Sequence, residues 1–340
     1  MTGNATFRHR DVALLAVVGI EAPVVVPSTV FDERLAPTLK RLHLPSGLLP
    51  RVAGVHERRW WDSTMTFDEA AMAAGAKALA EAGIDAGDVG LLINTSVTRT
   101  FLEPSVASRI HNGLSLPTSA LGFDLTNACL GFVNGLTLAA QLIDAGQVQY
   151  ALIVNGEDPG PTQEATIERL LRPETTREQF LEEFATLTLG AGAAAAVLGP
   201  AHLHPGAHRV VGGVARSATQ HHELCVGGVD GMQADAGGLL THGIQLVVDA
   251  WNESADEWGW SELDRVVTHQ VSTVHTKAIV EALDLDPDRV PMTFPRWGNV
   301  GPAALPMTLA SEADSLRSGD RVLCMGVGSG LHAAMTEIVW

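Results

Sequence analysis

Three cysteines in 340 residues are few, and none of them belongs to a CxxC pair. Cys129, Cys225 and Cys324 are odd in number and far apart. This argues against a disulfide framework and predicts a reducing, cytoplasmic setting. The chain also lacks a strongly basic stretch. With 39 acidic against 22 basic residues its formal charge is −17, so a nucleic-acid partner is not expected. No segment reaches the ~20 consecutive apolar residues of a membrane helix. The closest approach is VALLAVVGI near the N-terminus. Basic residues precede it, as in a signal peptide, but Asp11 and Glu21 flank it and it is short. It reads as a buried strand. The histidines of HLHPGAH (202–208) stand among a Pro and a Gly and read as a surface turn, not a metal site.

What is present is an alternation of strands and helices. EAAMAAGAKALAEAGI (69–84) is helical, with small residues for close packing and Gly83 as its stop. VGLLINTSV (89–97) is a continuous apolar strand, as in a sheet covered on both faces. A helix follows Glu103, then the strand ALGFDL. A second helix runs from Cys129 to Ala145, about 17 residues or about 25 Å. The strand YALIVNG closes this series. The programme then recurs. DRVVTHQVS (264–272) corresponds to VGLLINTSV, and DRVLCMGVGSG to QYALIVNGE. PMTFPRWGNVGPAALPMTLASEADSL corresponds to FDLTNACLGFVNGLTLAAQLIDAG. Cys129 lies 24 residues before Ile153, and Asn299 lies 24 residues before Leu323. An internal duplication follows, with Cys129 and Asn299 at equivalent helix starts. The boundaries expected are 1–205 and 206–340. A charged helical insertion at about 156–190 lies outside the repeat, as either a cap over a site or a solvated excursion.

Cys129 has two readings. Free cysteines are usually buried and inert. A cysteine in the first turn of a helix instead faces unpaired N–H groups and the positive end of the dipole, which favour a thiolate. Cys324, within a strand, reads as buried and inert, and Cys225 as a loop residue without an activator. His269 ends a strand, where side chains leave the sheet and sites form. Under the duplication, Cys129, His269 and Asn299 converge near one axis. A thiol, an imidazole and an amide together supply a nucleophile and two donors for an oxyanion. Arg58 and Arg59 in HERRWW read equally as ligands for phosphate or as a solvated pair.

Four segments carry a family resemblance: ACLGF around Cys129, THQVS around His269, GNVGPAALP around Asn299, and the C-terminal GVGSGL. Together they resemble the signatures of the thiolase superfamily, in its branch of priming ketoacyl synthases. LLINTSVTRTFLEPSVAS, AGVHERRWWD and TNACLGFVNG narrow the likeness to the OleA-like thiolases, which condense two acyl-CoAs head to head. Priming synthases usually read HQAN at the histidine, whereas this chain reads HQVS. The resemblance implies an α/β thiolase fold, a duplicated five-layer αβαβα arrangement with mixed sheets and an inserted helical cap. It implies a non-decarboxylative Claisen condensation of two long-chain acyl-CoAs to a β-keto acid, the opening step of olefin or β-lactone formation. No cofactor is implied beyond the coenzyme A thioesters themselves. It makes Cys129 the acylated nucleophile, Glu103 the base for the α-proton, and His269 and Asn299 the holders of the enolate oxygen. The backbone N–H groups of Cys129 and Ser329 would form the oxyanion hole. It also implies a homodimer in which Glu103 reaches the other subunit's site. From the residues alone, Glu103 reads as well as a carboxylate at a helix N-terminus, followed by Pro104. Three alternatives stay open at this level. They are a decarboxylating synthase using malonyl-carrier protein, a synthase of the hydroxymethylglutaryl-CoA type, and a non-catalytic partner subunit of a heterodimer.

Overall fold

The computed structural model describes residues 5–340. Its centre is two copies of one strand order. The first copy runs Leu121–Asp124, Val89–Asn94, Tyr150–Glu157, Gly192–Pro200, Val12–Glu21. The first three strands are parallel and the last two antiparallel to their neighbours. The second copy runs Arg265–Thr268, Arg321–Gly328, His332–Val339, His208–Ser217, with one parallel pairing and then two antiparallel ones. Thr6–Arg8 adds to its far strand. The copies touch at one corner, where Ala13 and Leu14 pair with Arg209 and His208, so the backbone ladder is continuous over ten strands.

Helices fill both outer faces and the space between the copies, which gives five layers. Phe67–Ala82 carries a Thr66/Glu69 capping box and ends at Gly83 with φ 66°. Its fully buried Ala70, Ala71, Ala74 and Ala78 let it lie close on Leu92, Leu152 and Val154. Ala236–Trp258 and Thr273–Ala282 cover the opposite outer face, around Trp258, Trp260 and Met325. Gly131–Asp144 and Ala304–Glu312 occupy the middle. Phe132, Leu136, Leu305 and Leu309 meet side chains of both copies there, including Ile93, Ile153, Val267 and Val322. Each such buried Leu or Phe contributes about 1.5–3 kcal/mol. Among the described residues, no helix is long and apolar enough to cross a membrane.

Three local expectations need correction. The helix after Glu103 begins only at Val106. The Cys129 helix begins at Gly131, so Cys129 stands on a turn ahead of it. In that turn Ala128 takes φ 45°, and Leu130 and Gly131 donate back to Asn127 and Ala128. Finally, the segment expected to mirror the strand Leu121–Asp124 forms a short helix, Phe294–Trp297. Pro291 and Pro295 withhold two backbone donors from any ladder. The Gln270 side chain ties the segment instead. It donates to the Pro291 carbonyl at 3.1 Å and accepts from Thr293 N–H at 2.8 Å.

The insertion folds as Gly160–Leu170, Arg177–Glu183 and a 3-10 turn, Phe184–Thr188. Its Ile167, Leu170, Phe180 and Leu187 close a separate core with Phe31, Leu35, Leu39 and Leu49. A hairpin from the other copy, Cys225–Gly228 with Gly231–Ala234, docks on it. Thr162, Arg169 and Thr186 donate to the Val229, Asp230 and Met232 carbonyls, at 3.2, 2.6 and 3.2 Å.

Candidate active site

Cys129 is presented by the tight turn at Asn127–Leu130. Gly131 is required just after it, because a Cβ there would stand 2.9 Å from the Thr95 carbonyl oxygen. His269 follows the strand Arg265–Thr268, and its backbone N–H donates to the Met325 carbonyl at 2.8 Å. Gly326 lies between them. A Cβ added to it would stand 3.0 Å from the His269 Cβ and 3.1 Å from Leu130 Cδ2. The strand ends at Gly328, against Leu130 and the Asn127 carbonyl, so Ser329 emerges beside the same turn. Asn299 lies in a bend whose backbone pairs with Thr188 and Gly190 at 2.9 Å each. Its side-chain oxygen accepts from Gly301 N–H at 3.0 Å. The following turn, Gly301–Ala303, packs on both Gly131–Asp144 and Tyr150–Glu157. His269 and Ser329 thus approach the turn that carries Cys129, while Asn299 precedes a turn that packs on the central helix.

Glu103 is not among them. It is exposed on the irregular segment joining Val89–Asn94 to Val106–Gly113, beside Leu102, which is 96% exposed. Among the described residues it caps no helix, the residue before Val106 being Ser105.

The electrostatics correct one expectation. Burial pushes the Cys129 thiol up to about 12, and the neighbouring Cys225 and Glu157 add to the rise. Cys129 precedes the helix by two residues, and burial penalises the thiolate. Burial, assisted by His275, takes His269 down to about 4. His269 is 6% exposed, and both of its ring nitrogens lack a protein partner. Near neutral pH the pair is therefore a thiol and a neutral imidazole. Buried polar atoms without partners are costly, and such atoms mark a site that a ligand completes.

Two features escape the sequence reading. Glu157, at the end of Tyr150–Glu157, is buried and accepts four hydrogen bonds. These come from Val97 N–H (2.8 Å), Thr98 N–H (3.0 Å), Thr98 Oγ1 (2.6 Å) and Asn155 Nδ2 (3.2 Å). Burial pushes its carboxyl up while these bonds oppose the rise. Its signal in the sequence is an acid closing a strand that is mostly apolar, at a strand end, where sites form. Cys225 opens a hairpin, not a loop, and that hairpin reaches Cys129 closely enough for their charges to interact. The Gly-Val-Asp-Gly turn at 228–231 is its sequence mark.

The arginines of HERRWW fit neither of their readings. Arg58 is fully buried over the Phe31 ring at 4.3 Å, and Arg59 is held by Glu57 and Glu21. The HLHPGAH histidines are separately engaged, His202 by Asp11, His204 by Tyr150 and His208 by Trp340. Cys324 is buried, and burial pushes it up to about 12.

Comparison with known proteins agrees with this geometry. Residues 254–340 match the family model of the 3-oxoacyl-[acyl-carrier-protein] synthase III C terminal, and residues 123–162 that of 3-oxoacyl-[acyl-carrier-protein] synthase III. The chain is 43% identical over 335 residues to an acyl-CoA:acyl-CoA alkyltransferase of Xanthomonas campestris, covering 97% of this chain and 99% of that protein. An enzyme of the same description from Shewanella oneidensis is 35% identical, covering 94% and 96%. The cerulenin-bound crystal structure of Xanthomonas campestris OleA superposes with a TM-score of 0.96 at 41% identity, over the full length of both chains. Its cysteine-to-serine form, solved with lauric acid and lauroyl-CoA, gives 0.95 at 42%, over 98% of this chain and all of that one. The chain belongs to the OleA-like acyl-CoA-condensing enzymes of the thiolase superfamily.

Proposed function

We propose that the protein joins two fatty acyl-CoAs by a non-decarboxylative Claisen condensation, giving a 2-alkyl-3-ketoalkanoic acid. The Cys129 sulfur attacks the first thioester carbonyl and loses its proton, and coenzyme A leaves as the thiol. Glu103 of the partner subunit removes an α-proton from the second acyl-CoA. The resulting enolate carbon attacks the Cys129 thioester, and the Cys129 sulfur departs. Water then cleaves the remaining coenzyme A thioester, leaving the β-keto acid. His269 and Asn299 donate to the enolate oxygen, and the backbone N–H groups of Cys129 and Ser329 to the tetrahedral oxyanion. A neutral His269 suits this role, because a ring N–H can donate to the enolate oxygen without carrying a charge of its own.

The observation that carries the reading is the separation of Glu103 from the other three. Glu103 is exposed beside an exposed leucine on an irregular segment, with no hydrogen bond or ion pair among the described residues. A second copy would receive it. The exposed edge strand Leu121–Asp124, with Leu121 54% exposed, supports the same homodimer. Solved variants of Xanthomonas campestris OleA alter a glutamate, a cysteine and a histidine. That glutamate precedes that cysteine by as many residues as Glu103 precedes Cys129. The histidine spacing agrees to within two residues. We take the chain as two halves, 1–205 and 206–340, with the insertion at about 156–190 as the cap, working in the cytoplasm.

Glu103→Gln keeps the shape and removes the base. Acylation of Cys129 by an acyl-CoA should persist, while condensation without a malonyl donor should be suppressed. Full condensation by this variant would eliminate the base assignment. Activity dependent on malonyl-carrier protein would favour the decarboxylating alternative.

A further inference from the structure

We propose that Glu157 is a positioning residue that sets where Glu103 stands, and so acts on the partner subunit's site and not on its own. The proposal rests on Glu103 serving as a base across the dimer.

The segment from Thr95 to Ser105 has no regular structure, and its tip is exposed. Its placement therefore depends on its roots. At the far root, Asp124 accepts from Val106 and Ala107 N–H, at 2.9 Å each, and pairs with Arg99 at 3.5 Å. Arg99 turns back to donate to the Ser96 and Thr98 carbonyls, at 2.8 and 3.0 Å. At the near root, Glu157 takes Val97 and Thr98. Its two oxygens divide the work. One accepts from Val97 N–H and Asn155 Nδ2, the other from Thr98 N–H and Thr98 Oγ1. The Thr98 hydroxyl already accepts from Asp158 N–H at 3.0 Å, which fixes its own proton toward Glu157. Only a carboxylate can accept on both edges. A glutamine would set its amide N–H₂ against either the Val97 or the Thr98 donors. No cation pairs with Glu157 among the described residues, so burying this charge is a cost the fold bears. A buried acid that accepts four donors without a counter-ion, three of them from the root of the Glu103 segment, is explained by what that segment must present. A rival role exists within the same chain. Glu157 also borders the Asn299 bend, since a Cβ at Gly301 would lie 3.8 Å from its Cγ and Cδ, and its charge reaches Cys129 of the same chain.

Complementation between variants separates the two roles. Glu157→Gln and the milder Thr98→Val are each assayed with lauroyl-CoA for Cys129 adduct and for condensation. Thr98→Val should acylate within about threefold of wild type, and both variants should condense about 10–10²-fold more slowly, the cost of a misplaced group. Each is then mixed, under verified subunit exchange, with Cys129→Ala or Glu103→Gln. With Cys129→Ala, activity should return, because an intact Cys129 meets a Glu103 whose own Glu157 is intact. With Glu103→Gln it should not, because neither heterodimeric site receives a well-placed base. The reverse pattern would assign Glu157 to its own subunit's site and overturn the proposal, as would wild-type condensation by both variants. Glu103→Gln with Cys129→Ala is the control. If that pair fails to complement, the cross-subunit reading itself falls, and the proposal with it.

Discussion

Gly326 separates His269 from Leu130, and a larger residue between them would press on both. A Cβ at this position would stand 3.0 Å from one side chain and 3.1 Å from the other. Gly326→Ala must therefore move His269 or the turn that carries Cys129. Overpacking of this kind costs about 1–3 kcal/mol of stability. The larger effect should be on rate, with condensation falling about 10–10²-fold in a variant that still melts cooperatively. Unchanged turnover would show that the two groups do not need this spacing.

Cys129 should alkylate slowly at neutral pH. With its thiol near 12, the thiolate fraction grows about tenfold per pH unit across the accessible alkaline range. Iodoacetamide labelling, followed by peptide mapping to exclude Cys225 and Cys324, measures this directly. A plateau in rate near pH 7 would mean that the helix start does lower the thiol.

His269 links the site to acid stability. Its folded value, about 4, lies below the ordinary 6.5. The unfolded chain thus takes up a proton at higher pH than the folded one. The stability from its neutral burial is present above pH 6.5 and is lost as pH falls from 6.5 through 4, by about 3 kcal/mol at most. His269→Asn should flatten the fall in melting temperature over that window relative to wild type. Parallel curves would contradict the burial of a neutral imidazole.

His269→Ala and Asn299→Ala should separate the two half-reactions. Each variant should still form the Cys129 adduct, seen by intact mass, while condensation falls by ~10²–10³, the usual effect of removing an oxyanion donor. Wild-type condensation by either would withdraw that residue from the site.

The strand end before His269 and the helix that follows Cys129 were legible because those places repeat with the duplication. Finer features were not. The helix begins two residues late because Ala128 adopts a left-handed φ and Gly131 presses on the Thr95 carbonyl, contacts distant in sequence. The thiol is raised by burial, and burial belongs to the assembled core. Glu157 looks like an ordinary charged strand end until Val97 and Thr98 fold back onto it. The insertion packs on Phe31, Leu35 and Leu39, a pairing that no local pattern announces.

The missing strand of the second copy has a consequence for assembly. In the first copy the sheet ends in Leu121–Asp124, whose outer side is open. In the second, the corresponding border is Arg265–Thr268, with Val266, Val267 and Thr268 buried and the neighbouring segment bound through Gln270. Two open borders would let chains add end to end without limit. A chain with one open border can use it once, so an assembly built through Leu121–Asp124 is complete at two copies.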